Sequence, residues 1–340
     1  HYQQGSIAIR ILSFGATVLA ESFWEEKIDA AVAVRRSASL PSADTLAFRL
    51  IHGEGDGLPG LIVDYYAGAA VMQAHSVGMH LSRAAIAEAL QKVLGKELQV
   101  IYYKSQSTLP GKMRDAEMNE YLCGMGVVPH VITEYGNKFY VDWEEGQKTG
   151  FFLDQRENRR LLADFSRGKK VLNAFCYTGG FSVYALRAGA QLVHSVDVSE
   201  KAVALTRKNL ELNGFDSNLH TCFAEDTFDF LKQNPSDYDV MVLDPPAFAK
   251  HRDARHQAVR GYQRLNAEAM RAIRPGGIIF TFSCSQVVDR QLFYDTVVSS
   301  AIQAGRSIKV LHHLSQPADH PVSIFHPEGD YLKGLVLYVE

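Results

Sequence analysis

The stretch Lys169-Lys-Val-Leu-Asn-Ala-Phe-Cys-Tyr-Thr-Gly-Gly-Phe-Ser-Val-Tyr-Ala-Leu-Arg-Ala-Gly-Ala-Gln-Leu-Val-His-Ser-Val-Asp197 sets the reading of the whole chain. It predicts a buried strand over Val171–Phe175, a tight loop closing on Gly179 and Gly180, a helix from Phe181, and a second strand ending on Asp197. This is the plan of a nucleotide site: glycines let backbone approach a ligand, and a carboxylate at the end of the second strand accepts from both ribose hydroxyls. A dinucleotide would want a G-x-G-x-x-G turn for its phosphates. The chain offers Phe175-Cys-Tyr-Thr-Gly-Gly180 instead, which suits a nucleoside without phosphate, S-adenosylmethionine being the common one. An ordinary strand–loop–helix crossover would read the same way, because glycine-rich βα turns are widespread.

With 340 residues the chain is long for one domain, and two are expected. Apolar and charged fractions of 46% and 21% are those of an ordinary globular protein. No apolar run is long enough for a membrane span and no signal peptide opens the chain, so a cytoplasmic enzyme is expected. A net charge of −3 argues against non-specific coating of nucleic acid but leaves room for a local basic groove. Cys123, Cys176, Cys222 and Cys284 form no C-x-x-C pair, which favours free thiols over disulfides or zinc. Adjacent His312 and His313 would face opposite sides of a strand, a poor metal pair.

Upstream, Ser6–Leu12 reads as a strand that cannot make a domain alone, followed by a polar, partly helical connector from Glu25 to Ser42. Strands over 48–52, 61–65, 69–74 and 98–103, with a helix over 81–94, make a small α+β domain. Lys104 to Gly124 reads as a long loop whose Lys104, Lys112 and Arg114 could meet a phosphate backbone, a solvated loop being the plainer reading. A hairpin centred on Gly136-Asn137 leads to Gly146–Asn158, dense in donors and acceptors, then a helix packing through Leu161, Leu162 and Phe165.

After Asp197 the alternation continues. Ser199 caps a helix to Asn213, and strands follow over 219–223, 238–243 and 278–283, the last after a turn at Arg274–Gly277. Phe293, Val297 and Ala301, with Tyr294, Val298 and Ile302 beside them, predict a helix with a broad buried face. Strands over 307–314 and 333–339 close the chain. The fold class is therefore α/β, a mostly parallel sheet with helices on both faces and an antiparallel strand from the last hairpin.

Ligands of such sheets sit at the carboxyl ends of the strands. Those ends carry Asn173, Phe175, Tyr177, Thr178 and Gly179; then Asp197, Val198 and Ser199; then Glu225, Asp226 and Thr227, where a carboxylate could accept from an adenine amino group. The next end carries Asp244-Pro245-Pro246, whose prolines stop pairing and send the chain stiffly out of the sheet. Phe248 offers a face for a base, with Lys250 two residues on. The fifth carries Cys284 within Ser283-Cys-Ser285. A lone cysteine is ordinarily a small buried hydrophobe. At a strand's carboxyl end opposite Asp244, a thiolate could instead add to C6 of a pyrimidine and make C5 nucleophilic, with Asp244 holding the base's N3/N4 edge.

Together these motifs resemble the RlmI-type 23S ribosomal RNA cytosine-C5 methyltransferases, class I S-adenosylmethionine enzymes. The resemblance rests on His52–Gly60, Gly146–Arg156, Phe175–Phe181, Ser195–Asp197, Asp244–Pro246, Phe280–Ser285 and Ala318–Pro321. It implies a Rossmann-like seven-stranded sheet over residues 126–340, a small EEHEE-like domain over 43–125, and the remnant of an RNA-binding PUA domain with its connector over 1–42. It implies Cys284 as nucleophile, Asp197 on the ribose, Asp226 near the adenine, and Gln155 and Arg156 closing the cofactor site. It further implies RNA as partner, no metal, and a possible homodimer. Two positions depart from the pattern. Cys176 stands where serine is more usual, and Pro246 stands where another RNA cytosine-methyltransferase family has a second cysteine, so no base for the C5 proton is named. A guanine-N7 methyltransferase of similar architecture needs no nucleophile, and Cys284 tells against it. A non-catalytic RNA-binding factor would keep the fold without turnover, against which the intact cofactor-side residues argue. A nicotinamide dehydrogenase is disfavoured by the absent phosphate loop.

Overall fold

The computed structural model describes residues 9–13, 20–109, 118–233, 238–249 and 252–340. The strand expected over Ser6–Leu12 lies partly outside them. By packing the chain forms two units, His1–Leu153 with Pro317–Gly329, and Asp154–Gln316 with Asp330–Glu340. The sequence reading starts the second domain at residue 126, whereas this division falls at 153/154.

In the first unit, helix α1 (Phe23–Ser37) occupies the expected connector. Strands β1 (Ala47–His52), β2 (Leu61–Tyr66) and β3 (Ala69–Ala74) precede helices α2 (Val77–Leu81) and α3 (Arg83–Leu94), and β4 (Val100–Tyr103) and β5 (Glu120–Cys123) follow. Three strands thus precede the helices, one more than the EEHEE plan. The sheet order is β1-β2-β3-β4-β5, antiparallel except where the helical crossover makes β4 parallel to β3. Ile28 and Val32 on α1, and Ile86 and Leu90 on α3, sit four residues apart and join a core with Phe48, Leu50, Val63 and Met72. Strand β5 falls inside the stretch read as a loop. Strands β6 (His130–Glu134) and β7 (Asn137–Val141) form the expected hairpin, but its turn is Tyr135-Gly136, both at positive φ.

The returning segment 317–329 explains two of the motifs. The Arg49 backbone N–H donates to Asp319 Oδ2 at 2.9 Å, and Arg35 Nη2 donates to the Asp319 carbonyl at 2.8 Å. Gly55 has no substitute here, since a Cβ would stand 1.9 Å from the Pro321 carbonyl oxygen.

In the second unit, β8 (Lys170–Ala174), β9 (Leu192–Asp197), β10 (His220–Ala224), β11 (Tyr238–Leu243), β12 (Ile273–Ser283), β13 (Ile308–Leu314) and β14 (Lys333–Val339) make one sheet in the order β10-β9-β8-β11-β12-β14-β13. All neighbours are parallel except β14, which is antiparallel to β12 and β13. Helix α4 (Arg156–Asp164) precedes β8, and helices α5 (Gly180–Arg187), α6 (Glu200–Leu212), α7 (Thr227–Gln233), α8 (Arg255–Ala272) and α9 (Arg290–Ala304) cross over between strands. Alternation along β12 shows both faces covered. Ile279 joins the core of α7 to α9, while Phe280 meets Phe165 after α4 and Phe282 meets Phe181 of α5. Central β11 is buried along its whole length, as a two-sided parallel strand must be.

Two expectations need correction here. Arg274–Gly277 is not a free turn but an irregularity within β12: Tyr238 faces Ile273, yet Val240 faces Ile278. On α9, Phe293 and Val297 are buried, but Tyr294, Val298 and Ile302 are exposed, so the buried face is one stripe narrower than read. Likewise only Leu162 of the α4 trio is fully buried.

Candidate active site

The sheet's strand order reverses at β8, so the β8–α5 loop opens at the switch point where α/β sheets hold ligands. The loop is strained: Phe175 and Tyr177 hold φ of 58° and 45°, unusual for aromatic residues and worth ~1–3 kcal/mol each. Four hydrogen bonds over-determine that shape. Cys176 N–H donates to the Val196 carbonyl (3.0 Å) and Tyr177 N–H to Asp197 Oδ2 (3.1 Å). Thr206 Oγ1 donates to the Tyr177 carbonyl and Asn209 Nδ2 to that of Thr178, both at 2.8 Å.

The glycines make a close packing possible. A Cβ on Gly179 would lie 2.5 Å from Thr206 Cγ2, and one on Gly180 would lie 2.9 Å from Arg159 Cδ. Helix α5 thereby sits tight against α6 and α4.

Asp197 ends β9 half-exposed. Its Oδ2 takes the Tyr177 N–H and its Oδ1 the Ser199 N–H at 2.9 Å. Each oxygen keeps a further lone pair, so the carboxylate can accept two hydroxyls. Val198 beside it is 77% exposed, an apolar surface next to a ribose-sized acceptor pair. Ser199 caps α6 through Ala202 N–H. Glu225 and Asp226 are exposed at the end of β10, where Asp226 Oδ1 takes the Phe228 N–H (2.8 Å) and so caps α7. Thr227 is buried.

Several expected cofactor residues lie beneath this surface. Asn173, Thr178, Gly179, Pro245, Gln155 and Arg156 are buried. Asn173 Nδ2 donates to Ser182 Oγ (2.8 Å), which continues to Ser195 Oγ (2.6 Å) and His220 Nε2 (3.0 Å). The Asn173 Oδ1 is a buried acceptor without a partner among the described residues. Gln155 Oε1 accepts from Asn158 Nδ2 at 2.6 Å, so the polar half of 146–158 becomes an internal network. With its acceptors, exposed Val198 and over-determined loop, the set fits an S-adenosyl nucleoside.

On the other side of β8, Leu243 pairs with both Ala174 and Thr281, so the ends of β11 and β12 are neighbours. Asp244 and Cys284 follow them, both half-buried. Ser285 Oγ donates to the Ala249 carbonyl (2.9 Å), tying the loop after β12 to the loop after Asp244. Burial drives the Tyr262 hydroxyl above the usual phenol range, and nearby Cys284 and Asp244 add to that rise. The half-buried Phe248 ring lies edge-on to Tyr262 at 4.7 Å and against Gly261. Burial likewise pushes the Cys222 thiol up to about 11 and Cys176 higher still, while Cys123 and Cys284 are half-buried, Cys284 alone of the two lying at a strand end of this sheet.

The sequence reading missed Lys333. It is 3% exposed at the start of β14, opposite Ser283, and its Nζ donates to the carbonyls of Ser285 (2.6 Å) and Tyr331 (2.7 Å). The available signal was a lone lysine opening the apolar run Gly334–Val339. Of the expected RNA-side cations, Lys112, Arg114 and Lys250 lie outside the described residues. Lys104 is buried and donates to the Gly146 carbonyl at 2.6 Å, so it serves packing. Among the described residues no cluster of His, Cys, Asp and Glu could hold a metal, and no helix is long and apolar enough to cross a membrane.

Residues 48–335 match the S-adenosylmethionine-dependent methyltransferase family. The ribosomal RNA large subunit methyltransferase I of Aeromonas hydrophila is 43% identical, over 85% of this chain and 74% of its own length. The protein of that name from Shewanella denitrificans is 39% identical over 99% of this chain and 85% of its own. A solved SAM-dependent methyltransferase from Streptococcus mutans shares the fold, with a TM-score of 0.87 and 23% identity, covering 100% of this chain and 87% of that one. A solved methyltransferase complexed with SAH gives 0.84 at 25% identity, over 96% and 83%. The chain is an enzyme that belongs to the S-adenosylmethionine-dependent methyltransferase family, alongside the proteins named ribosomal RNA large subunit methyltransferase I.

Proposed function

We propose that the chain methylates C5 of a cytosine in large-subunit (23S) ribosomal RNA, with Cys284 as nucleophile and Asp244 on the base. The names of the relatives support the RNA substrate. The observation that carries the reaction class is a half-buried cysteine just beyond the end of β12, with Asp244 just beyond the end of the neighbouring β11. S-adenosylmethionine supplies the methyl group. Asp197 holds the ribose hydroxyls, Val198 the adenine face, and Glu225 or Asp226 its amino group. The buried residues Asn173, Thr178, Gln155 and Arg156 complete the cofactor side of the site.

In this reading the Cys284 thiolate forms a bond to C6 of the cytosine, and the electron pair of the C5–C6 double bond moves to C5. Asp244, protonated or through a hydrogen bond, holds the N3/N4 edge as charge builds there. C5 takes the methyl group as the donor's S–CH3 bond breaks and its electron pair stays on sulfur, a base takes the C5 proton, and the C6–S bond breaks as the double bond re-forms. A cytoplasmic homodimer is part of the same proposal, tested by light scattering on the purified chain.

The test is methyl transfer to naked 23S RNA and to assembled subunits, with the product nucleoside identified by mass spectrometry. 5-Methylcytidine is expected. 7-Methylguanosine would overturn the reading.

A further inference from the structure

Strand β14 runs against β12, so its first residue arrives at the same sheet edge as the last residue of β12. Lys333 pairs with Ser283, one residue before Cys284, and its Nζ holds the carbonyl of Ser285, one residue after it. The lysine therefore brackets the cysteine from the neighbouring strand. It is buried, and a buried ammonium is costly unless something repays it. Two carbonyl oxygens take two of its three N–H groups.

We propose, on the reading that Cys284 is the nucleophile, that Lys333 is a positioning residue whose ammonium stabilises the Cys284 thiolate and so makes the attacking form available at neutral pH. Lys333 is lowered to about 8, burial and the Arg290 charge outweighing the opposing charges of Cys284, Asp330 and Asp289. It stays largely protonated at neutral pH, and an influence of thiolate on ammonium acts equally in reverse. Other charges around the pair are committed elsewhere. Arg290 Nη2 bridges both oxygens of Asp330 at 3.0 Å, and Asp289 caps α9 through Leu292 N–H at 2.8 Å. Tyr262, a neutral phenol, feels the charges of both Cys284 and Asp244. In Lys333 the thiol thus has a cation fixed by two carbonyls. The step is a proton transfer from S–H to solvent, with no change of oxidation state.

The test is the pH dependence of Cys284 alkylation by iodoacetamide, resolved by peptide mass spectrometry, in wild type, Lys333→Met and Lys333→Arg. The inflection is expected to rise by about one pH unit or more in Lys333→Met, a roughly tenfold slower reaction at neutral pH, and to stay near wild type in Lys333→Arg. An unchanged inflection in a Lys333→Met chain that still binds S-adenosylmethionine overturns the proposal. Should that variant fail to fold, wild type decides alone: an inflection at or above about 8.5, the free-cysteine value, overturns it. Cys284→Ala that still transfers methyl groups overturns the nucleophile reading instead, whatever the thiol titration shows.

Discussion

The Asp197 carboxylate takes the N–H of Tyr177 on one oxygen, so this proposed ribose acceptor and the strained loop hold each other in place. Each fixes the other's geometry before any ligand arrives, which lowers the ordering cost of binding. Asp197→Ala removes the acceptor for hydroxyls and the anchor of the loop together. S-adenosylmethionine affinity by calorimetry is expected to fall at least tenfold, about 1.4 kcal/mol. Unchanged affinity would remove Asp197 from the cofactor site.

Gly179→Ala should destabilise the fold. The new methyl would meet Thr206 Cγ2 at 2.5 Å, at a φ of +74° that side chains rarely adopt. A loss of about 1–3 kcal/mol is expected by urea unfolding. Thr206→Ser deletes the clashing methyl and keeps the hydroxyl that holds Tyr177, so it should rescue part of the loss in the double variant. No rescue would mean that backbone strain, not the contact, requires the glycine.

Stability should fall in mild acid. Burial, with the Arg49 charge adding to it, lowers His52 to about 2, and burial lowers His220 to about 4. His52 Nδ1 lies 3.2 Å from Arg49 Nη1, a donor, so the imidazole is neutral and accepts there. The unfolded chain binds these protons near pH 6.5. Stability is thus full above that value and declines as pH falls toward 4, by up to about 1.4 kcal/mol per pH unit for each histidine. His52→Asn keeps an acceptor toward Arg49 without the titration, so urea midpoints between about pH 7.5 and 5 should show a shallower slope. A slope identical to wild type would remove His52 from the linkage.

Much of this was legible locally. The β8–α5–β9 crossover, Asp197 at its end and the Asp244 turn follow from period-two and helical patterns with a proline stop. What was not legible depends on pairing between distant segments. Lys333 looks like the start of an edge strand until β14 is laid antiparallel against β12. Sequence also cannot show that a Cβ on Gly179 or Gly180 would crowd Thr206 or Arg159. Tyr294, Val298 and Ile302 have helical spacing for burial, yet exposure depends on where α9 lies on the sheet. Nor could the sequence show that Tyr262, fourteen residues later and on α8, meets the edge of the Phe248 ring.

The central claim is that Cys284 attacks the base, and methyl transfer by Cys284→Ala to 23S RNA tests it most directly. The expected result is no 5-methylcytidine above background, with S-adenosylmethionine binding within about twofold of wild type. Methylation at the wild-type rate would contradict the claim.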